Sequence, residues 1–559
     1  MPTVEVIFDD LQRLVGKSLP KDIDALNQTL SYVKGEVESF EEQVKIEIKD
    51  GNRPDLWTVE GIARELRGAL GVEDGLKDYS VEEHSGVKVH VDPKLKDIRP
   101  YIGAAVVKGV ELDSNAIRGL VNLQDKLDQT YGRKRRRASI GLYNFDLIKP
   151  PLRYSAVKPT EISFVPLNFS ERMNLEEILE KHPKGAEYGY IVKKHRHWPV
   201  FLDSEDQVLS FPPIINSSDL GRVTEDVKNV LVEVTGTSQQ TLMNTLTIVA
   251  LSLADRGGKI YSTKILYPYG KTRGVVTPKF EKRMMKMSTK VFSEILGLDL
   301  SYEEVVRNLK KARYGVSNAM KDSIDVIVPC YRVDIMHSVD IVEDVGIMHG
   351  YSKIKPRWPQ LVTVGEVGLR EVRSDLVREI MTGLGFQETL TFSMSNRERL
   401  FEKMAIEKEP VVEVSNPKTL TYTCVRNWLM PNLIEFLSNN THIEYPQRVF
   451  EVGDCVVFDE RAETGTKDVR KLACVTVHPT ANLSEAKAVL DALLLNLGLK
   501  YSLKETRHGS FIEGRAGEIL VKGSSIGMIG EISPSVLEAW KLGNPTAGFE
   551  LDLDKLFKT

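Results

Sequence analysis

The N-terminal part of the chain shows two different periods of apolar residues. Apolar positions at alternating spacing predict a strand from Val4 to Phe8. An amphipathic pattern follows it and predicts a helix, with apolar residues at Leu11, Leu14 and Val15. Between Ile46 and Leu70 an alternating strand pattern leads through a turn into a second helix. The first segment is therefore expected to mix helices and strands.

The helix that ends near Leu70 has a clear start signal and a clear buried side. Thr58 stands at its start and is a good N-cap residue. Glu60 and Arg64 lie four residues apart, and we expect them to support the exposed face as a pair. Its apolar residues recur at helical spacing, at Val59, Ile62, Ala63, Leu66 and Ala69.

From about residue 89 to 270 the pattern changes to short alternating runs separated by turns. Examples are Gly103 to Val110, Ser139 to Tyr143 and Val208 to Phe211. Val230 to Thr237 is a strand of apolar residues that one carboxylate, Glu233, interrupts. An acid in an apolar strand is costly unless it finds a partner, so Glu233 is either a recognition residue or a solvent-facing residue of an edge strand. The segment is predicted to be a mixed α and β domain.

The next segment carries helix start signals. Thr277 and Pro278 are expected to be an N-cap and a first-turn proline, and Ser301 with Glu304 matches a capping box. Two helices followed by a strand from Ile324 to Pro329 predict a winged-helix-like module. Lys310, Lys311 and Arg313 would then either contact nucleic acid or only solubilise a helix.

After residue 357 the pattern predicts a helix from Glu371 to Leu384 and a strand from Gln387 to Phe392. Gln447 to Val452 forms another predicted strand, and Ala516 to Glu531 is expected to be a hairpin. We therefore predict an α+β multidomain protein with the boundaries 1–88, 89–270, 271–356 and 357–559.

Composition narrows the class of protein without defining it. The 559 residues are 42% hydrophobic and 28% charged, with a net charge of −4, as in an ordinary globular protein. The four cysteines are scattered without a CxxC pair, which argues against a thiolate zinc site and a disulfide-rich secreted fold. The acidic start and the lack of a long apolar run favour the cytoplasm and no membrane contact.

Acidic residues crowd together between Asp334 and Asp344. Asp340, Glu343 and Asp344 share one face of a predicted helix, so their charges repel unless a cation lies among them. Mg²⁺ is a plausible cation because it takes oxygen ligands. The alternative is an acidic, solvated helix start favoured by the helix dipole.

Two further motifs have both a structural and a functional interpretation. Gly132 to Arg137, GRKRRR, is the densest basic run and could hold phosphates, or could be a solvated loop before a strand. Asn52 to Asp55, NRPD, could be a capped turn or part of a binding site.

The segment around the acids resembles the B5-type domain of the phenylalanyl-tRNA synthetase beta subunit. The NRPD motif is similar to the signature at the corresponding place in that family. The resemblance implies that Asp334, Asp340, Glu343 and Asp344 bind Mg²⁺. It rests on Pro329, Tyr331, Arg332, Asp334, Ile335, Asp340, Ile341, Val342, Glu343, Gly350 and Tyr351.

Val208 to Ser217 and Val230 to Thr237 resemble the editing domain of the same family, which hydrolyses tyrosine esterified to the phenylalanine tRNA. The resemblance implies that Glu233 accepts a hydrogen bond from the tyrosine hydroxyl. Ser210, Asn216 and Thr235 would line the site, and Leu202 would be an apolar wall. Hydrolysis would use a positioned water, since no Ser-His-Asp arrangement is evident.

The segment from Asn416 to Asn440 resembles part of a class II synthetase fold, with Arg426 the best match to an arginine near the adenylate. In the family's beta subunit this antiparallel-sheet domain is catalytically silent. The resemblance points to the archaeal or eukaryotic-cytosolic type, in which two alpha and two beta subunits assemble. The alpha subunit would use ATP and phenylalanine to charge the tRNA.

Two other functions share some of these features. A magnesium-dependent phosphoryl-transfer enzyme would use the acids as its centre, but it requires a glycine-rich phosphate loop that the sequence lacks. A freestanding tRNA-binding or proofreading protein would share every motif and differ only in having no synthetase partner.

Overall fold

The computed structural model describes residues 2–270, 273–320 and 323–558. The chain divides into two compact units, Met1–Trp358 and Pro359–Thr559. Both units combine helices with sheets, so the predicted multidomain architecture of mixed helices and strands is confirmed. In the described parts of the chain, no helix has the length and apolar character needed to cross a membrane.

The first unit begins with a three-stranded antiparallel sheet in the order β1-β3-β2. Its helix α3 buries the whole predicted apolar stripe, most of it against the sheet and α1, while Ala69 packs in the core of the third module. Thr58 stands at the N-cap position of α3, although its hydroxyl contacts the Glu60 carboxylate instead of the backbone. The elements are β1 Thr3–Val6, α1 Phe8–Val15, α2 Ile23–Leu30, β2 Gly35–Phe40, β3 Val44–Ile48 and α3 Val59–Ala69.

The prediction that Glu60 and Arg64 support an exposed face of α3 is wrong. Both side chains are buried, and each pairs with a residue that lies far away in the sequence. Glu60 binds the Arg256 guanidinium, and Arg64 binds the Asp255 carboxylate at 2.6 Å. The helix is covered on both sides because another module packs over its charged face.

The second module of this unit is built on a ten-stranded sheet. Its strand order is β12-β11-β10-β7-β4-β14-β5-β13-β6, with β15 beside β14. The elements are β4 Glu82–Val91, β5 Tyr101–Lys108, α4 Ser114–Lys126, β6 Ala138–Asn144, β7 Leu152–Val157, β8 Ser163–Phe164, β9 Met173–Asn174, α5 Leu175–Lys181, α6 Pro183–Tyr188, β10 Trp198–Leu202, β11 Val208–Phe211, β12 Ile215–Asn216, β13 Asn229–Gly236, α7 Gln239–Ala254, β14 Lys259–Leu266 and β15 Gly274–Thr277.

The sheet begins at Glu82 and ends at Thr277, so it extends past the predicted boundaries at 88 and 270. Separate apolar clusters cover its two faces, and the central strands β5 and β13 are therefore apolar along almost their whole length. Thr277 does not start a helix, contrary to the prediction. Its hydroxyl donates to the Ala104 carbonyl at 2.7 Å, because pairing with the sheet overrides the local cap signal.

The third module packs helices against a three-stranded antiparallel sheet in the order β16-β18-β17. The predicted capping box of Ser301 and Glu304 is confirmed at the start of α9. Two helices precede the last strand, as predicted, but two further strands accompany them. The elements are β16 Arg283–Ser288, α8 Lys290–Leu296, α9 Tyr302–Lys311, β17 Gly315–Met320, β18 Ser323–Val328 and α10 Ser338–His349.

The second unit has a seven-stranded sheet in the order β19-β22-β23-β27-β26-β25-β24. Neighbouring strands are antiparallel except for β19 and β22. The elements are α11 Leu369–Gly383, β19 Gln387–Glu388, β20 Met394–Ser395, β21 Cys424–Val425, α12 Met430–Asn439, β22 Gln447–Phe458, β23 Thr466–Val477, α13 Leu483–Asn496, β24 Ser502–Glu505, β25 Phe511–Val521, β26 Ser524–Ile532, α14 Pro534–Ala539, β27 Thr546–Asp552 and α15 Leu553–Leu556.

The hairpin predicted within this sheet is confirmed as β25 and β26, which a turn at Lys522 and Gly523 connects. Both turn residues have positive φ, a conformation that a tight hairpin turn requires. The strand predicted from Gln387 to Phe392 is much shorter, because pairing ends at Glu388 and the Phe392 side chain is exposed.

Candidate functional site

A cavity of about 570 Å³ lies beside the ten-stranded sheet, where β13 and β6 meet α4 and the segment that follows β11. Ser210, Asn216 and Glu233, three of the predicted site residues, line it. Ser210 and Asn216 are direct partners across β11 and β12. The structure therefore brings together residues that are widely separated in the sequence.

Glu233 lies at the middle of β13, between Ala104 on β5 and Gly141 on β6. It is only 2% exposed, so it does not belong to an edge strand facing solvent. Its two neighbours are small, and this leaves room for its side chain. A side chain at position 141 would overlap the Glu233 carboxylate and the Tyr143 hydroxyl, so glycine is required there by close approach.

One oxygen of the Glu233 carboxylate is fixed and the other is free. The Tyr143 hydroxyl donates to Glu233 Oε2 at 2.9 Å and lies 2.8 Å from the Ser210 hydroxyl. Among the described residues, Glu233 Oε1 has no hydrogen-bond partner. Burial raises the pKa of Glu233 to about 7, although the hydrogen bond from Tyr143 and the charge of Arg99 oppose the rise. A donor that enters the cavity would find an unsatisfied acceptor.

Two of the predicted site residues, Leu202 and Thr235, are not among the residues that line the cavity, and their role in the site stays a prediction. Leu202 lies in β10 and packs in an apolar cluster with Val200 and Val208. Thr235 shares the face of Glu233, as predicted. Its hydroxyl, however, accepts a hydrogen bond from Nε of the buried Arg99 at 2.9 Å. Both side chains are buried outside the cavity lining.

The basic run Gly132 to Arg137 is partly structural. Arg135 is buried, lies 3.0 Å from the Asp128 carboxylate and donates to the Ile214 carbonyl at 2.8 Å. Its guanidinium also lies 4.3 Å from the centre of the Tyr188 ring. The run's four other basic side chains are exposed: Arg133, Lys134, Arg136 and Arg137. The run therefore fixes one wall of the cavity and presents charge to solvent beside it.

Sequence reasoning did not identify Tyr143, Arg99 or Arg135 as parts of this site. The two-residue period of β6 places Tyr143 on the same face as Gly141, which was an available signal. Nothing local marks Arg99, because its partners are residues from β6 and β13. Burial raises the pKa of the nearby Asp128 to about 7 as well.

The acids predicted to bind Mg²⁺ have protein partners instead. Arg332 donates to Asp334 at 2.6 and 2.9 Å, and its Nη2 lies 2.7 Å from Asp344. The Tyr314 hydroxyl also donates to Asp344, at 2.6 Å. The side chains of Arg332, Tyr314, Asp334 and Asp344 are all largely buried. A guanidinium thus occupies the place between two acids where a metal ion was predicted.

The other two acids are engaged elsewhere. Asp340 accepts hydrogen bonds from the backbone of Met336 and His337 at 2.7 Å each, and it belongs to the capping box that begins α10. Glu343 is half exposed and pairs with Lys34 at 2.9 Å. Within the described residues, no group of three or more His, Cys, Asp or Glu side chains is arranged to hold a metal ion. In this arrangement the four acids do not fit a magnesium site.

The NRPD motif forms part of the same charged cluster. Arg53 donates to Asp55 at 2.7 and 2.9 Å, and lies 3.4 Å from Glu65 and 3.8 Å from Asp334. Only Asn52 of the motif is exposed. The motif is therefore neither a simple surface turn nor an open binding site, but a buried contact between the first and third modules.

Two residues considered for nucleic-acid or adenylate contact are buried in ion pairs. Arg313 is fully buried and pairs with Glu73 at 3.2 Å, so it is not available to nucleic acid. Arg426 is 2% exposed, pairs with Glu451 at 2.7 Å and donates to Thr391. Both are structural residues.

Two family profiles match the chain. The profile described as the tRNA synthetase B5 domain matches residues 285–351, which include α8 to α10. The profile described as the phenylalanyl tRNA synthetase beta chain CLM domain matches residues 354–553 and covers most of the second unit. The class of protein is therefore an aminoacyl-tRNA synthetase chain.

Full-length relatives define the family. The phenylalanine–tRNA ligase beta subunit of Pyrococcus furiosus is 44% identical over the whole of both chains. That of Methanocaldococcus jannaschii is 40% identical over 99% of this chain and all of its own length. A solved N-terminal fragment of the phenylalanyl-tRNA synthetase beta subunit from Pyrococcus horikoshii is 42% identical, has a TM-score of 0.59, and covers 63% of this chain and 100% of its own. The chain belongs to the family of phenylalanine–tRNA ligase beta subunits, which confirms the resemblance.

Proposed function

We propose that this chain acts in the cytoplasm as the proofreading and supporting partner of a catalytic alpha subunit, in an assembly of two alpha and two beta chains. The alpha subunit would bind ATP and phenylalanine and charge the tRNA. The name of the relatives, beta subunit, supports such a partner. The third module would be the winged-helix-like domain, and the second unit the silent class II fold. The engagement of Arg426 in a buried ion pair supports that silence.

An exposed apolar segment supports docking of an alpha subunit. Large apolar side chains that form a contiguous exposed patch indicate a site of protein interaction. In the second unit they occur in the segment before α11 and along α11 itself. They are Leu361, Val362, Val364, Val367, Leu369, Val372 and Leu376, which are between 44% and 101% exposed. We expect the chain to copurify with a coexpressed alpha subunit, and a chain that elutes alone would instead favour a freestanding protein.

We propose that the cavity beside β13 is the editing site, which hydrolyses tyrosyl esters of the phenylalanine tRNA. The observation that carries this proposal is the unsatisfied Oε1 of Glu233 in a cavity with apolar walls. A purely apolar pocket rejects an added hydroxyl only weakly, whereas a buried acceptor selects the ligand that can satisfy it. The hydroxyl of a tyrosine side chain would donate a hydrogen bond to Glu233 Oε1, whereas a phenylalanine side chain would leave that oxygen unpaired. The exposed basic residues beside Arg135 would attract the tRNA backbone.

The residues on the cavity wall would position the substrate, and a water molecule would be the nucleophile. Tyr143 and Ser210 would hold the Glu233 carboxylate in place, so that only its Oε1 would accept a hydrogen bond from the substrate ring. The side-chain amide of Asn216 donates to the Leu142 carbonyl at 3.4 Å, and its side-chain oxygen would accept a hydrogen bond from the substrate. The proposal adds Tyr143 as the residue that supports Glu233, whereas the predicted lining residue Thr235 and the predicted apolar wall Leu202 lie outside the cavity lining.

Glu233→Ala is expected to slow deacylation of tyrosyl-tRNA by the assembled enzyme by roughly 10- to 100-fold. A hydrogen bond to a charged group contributes about 1.5–3 kcal/mol, and the variant removes it. Charging of tRNA with phenylalanine should be unchanged, because that reaction belongs to the alpha subunit. The measurement compares single-turnover deacylation rates of wild type and variant.

The matched control is Glu225→Ala, since Glu225 is an exposed acid of the same module outside the cavity. It should deacylate tyrosyl-tRNA like the wild type. Equal rates for the wild type and Glu233→Ala would refute the editing assignment. A loss of phenylalanine charging in Glu233→Ala would show a general defect in assembly or folding.

Magnesium binding by Asp334, Asp340, Glu343 and Asp344 remains a prediction of the resemblance. It would require Arg332 to turn away from Asp334 and Asp344, and this rearrangement would have to accompany assembly with the alpha subunit and tRNA. The effect of Mg²⁺ on the stability of the isolated chain tests whether the rearrangement occurs without partners.

A further inference from the structure

A second cavity, of about 470 Å³, lies on one face of the seven-stranded sheet in the second unit. The start of α12 and the segment from 506 to 511 form its walls. The strands β22, β23, β25, β26 and β27 also contribute to the lining, and among their residues are Lys471, Glu518 and Glu550. The proposed editing and docking functions use none of these residues, so the cavity has no assigned role.

One wall of this cavity is aromatic and rigid. The His508 ring lies 5.9 Å from the Trp428 ring and 5.3 Å from the Phe511 ring, measured between centroids. The Trp428 indole donates to the Leu400 carbonyl at 3.2 Å, which fixes its orientation. Burial lowers the pKa of His508, so its ring is neutral at pH 7. This wall offers flat apolar surface and carries no positive charge at pH 7.

The cations of the cavity are already paired. Lys471 lies 3.0 Å from Glu550, whose other oxygen accepts hydrogen bonds from the backbone of Leu429 and Met430. Lys555 lies 3.8 Å from Asp552. Lys471 therefore does not offer a free positive charge to an anionic ligand, and the side chain of Lys555 is largely exposed to solvent.

Three of the remaining polar side chains, Glu409, Asn427 and Glu518, present hydrogen-bond acceptors, and Thr506 and Ser525 add hydroxyls. Within the described part of the chain, Glu518 and Glu409 have no ion-pair partner, although Lys504 lies opposite Glu518 across the strands. Among the residues that the structure describes, no hydrogen-bond partner reaches the buried side-chain oxygen Oδ1 of Asn427. An acceptor of this kind is costly unless a donor reaches it. The cavity is thus acidic, with an aromatic wall and unsatisfied acceptors.

We propose that this cavity binds a small molecule that carries a protonated primary amine next to an aromatic ring. The ring packs against Trp428 and Phe511, and the ammonium group donates to Glu518 and Asn427. This function is independent of editing, because the cavity lies in the unit that does not contain Glu233. It gives the second unit a ligand site although that unit charges no tRNA.

The test is calorimetric titration of the full chain with 2-phenylethylamine, and with 3-phenylpropionate as a probe of the same shape and opposite charge. We expect one amine to bind per chain and the carboxylate to bind at least tenfold more weakly. Glu518→Gln should weaken amine binding at least tenfold, because it removes the charge and keeps the shape. The matched control Glu538→Gln, an exposed acid outside the cavity, should bind like the wild type.

The same titration is done with Glu233→Ala, since an aromatic amine could also enter the first cavity. Unchanged amine binding by that variant places the ligand in the second unit. The proposal is overturned if the amine does not bind, if the carboxylate binds equally well, or if Glu518→Gln binds the amine like the wild type. A circular dichroism spectrum equal to that of the wild type shows that Glu518→Gln is folded.

Discussion

Arg332→Met lowers the stability of the third module by about 3–5 kcal/mol, because it leaves two carboxylates buried without their cation. Asp334 and Asp344 both lie within 2.7 Å of the Arg332 guanidinium and are each only 8% exposed at the side chain. The pKa of Arg332 is raised by the charges of Asp344 and Asp334, in spite of its burial. Hydrogen exchange of the peptides that cover β18 and α10, followed by mass spectrometry, measures the free energy of local unfolding.

Three comparisons make this measurement specific. Arg307→Met removes an exposed arginine of α9, 3.7 Å from Glu304, and should change the free energy by less than about 1 kcal/mol. Asp334→Asn and Asp344→Asn, combined with Arg332→Met, should recover part of the loss because the unpaired charges are gone. Wild-type exchange should be the same in EDTA and in Mg²⁺. A wild type that Mg²⁺ protects at α10 would contradict the assignment of Arg332 as the cation of this cluster.

Helix α3 shows which parts of the fold the sequence predicts. Its limits and its apolar stripe follow from local spacing, and the structure confirms them. The environment of Glu60 and Arg64 does not follow, because their partners Arg256 and Asp255 are brought in by the fold. A charged residue is expected at the surface unless its partner is known, and no periodic pattern reveals a partner almost 200 residues away.

The same limit applies to the two candidate sites. Glu233 stands out locally because it interrupts an apolar strand. Tyr143 does not stand out, because aromatic residues are common in strands. The acids from Asp334 to Asp344 stand out by their spacing, but spacing cannot show that Arg332 lies between two of them. A cluster of like charges indicates that a cation is needed, and it does not indicate whether the cation is a metal ion or a guanidinium.

The buried charges of the first unit connect its three modules. Glu60 and Arg64 of α3 bind Arg256 and Asp255 of the second module. Glu65, also on α3, accepts from the Tyr331 hydroxyl of the third module at 2.9 Å. Because a buried ion pair is destabilising when one partner leaves, these contacts favour one relative position of the modules over all others. The NRPD motif and the acidic segment are both parts of this junction.

Glu233→Gln is expected to raise the stability of the first unit by up to about 3 kcal/mol at pH 8 and by little near pH 4.5. Burial raises the pKa of Glu233 from 4.5 to about 7 in the folded chain, so folding favours its protonated form. The stability that this protonation contributes is fully present below pH 4.5, falls as the pH rises, and is lost above about pH 7. At about 1.4 kcal/mol per pKa unit, the ionised form therefore costs about 3 kcal/mol.

The measurement is the unfolding free energy of the wild type and of Glu233→Gln between pH 4.5 and 8, from hydrogen exchange of the β13 peptides. The difference between the two should grow with pH and level off above pH 7, and Glu225→Gln should show no such growth. Any remaining dependence of the unfolding free energy of Glu233→Gln on pH is assigned to Asp128, because burial also raises the pKa of Asp128 to about 7. In the assembled enzyme, the preference for tyrosyl over phenylalanyl ester should rise over the same range, because the ionised carboxylate is the stronger acceptor. A constant stability difference across this range would show that Glu233 does not titrate near neutral pH, and a constant preference would show that its charge does not read the tyrosine hydroxyl.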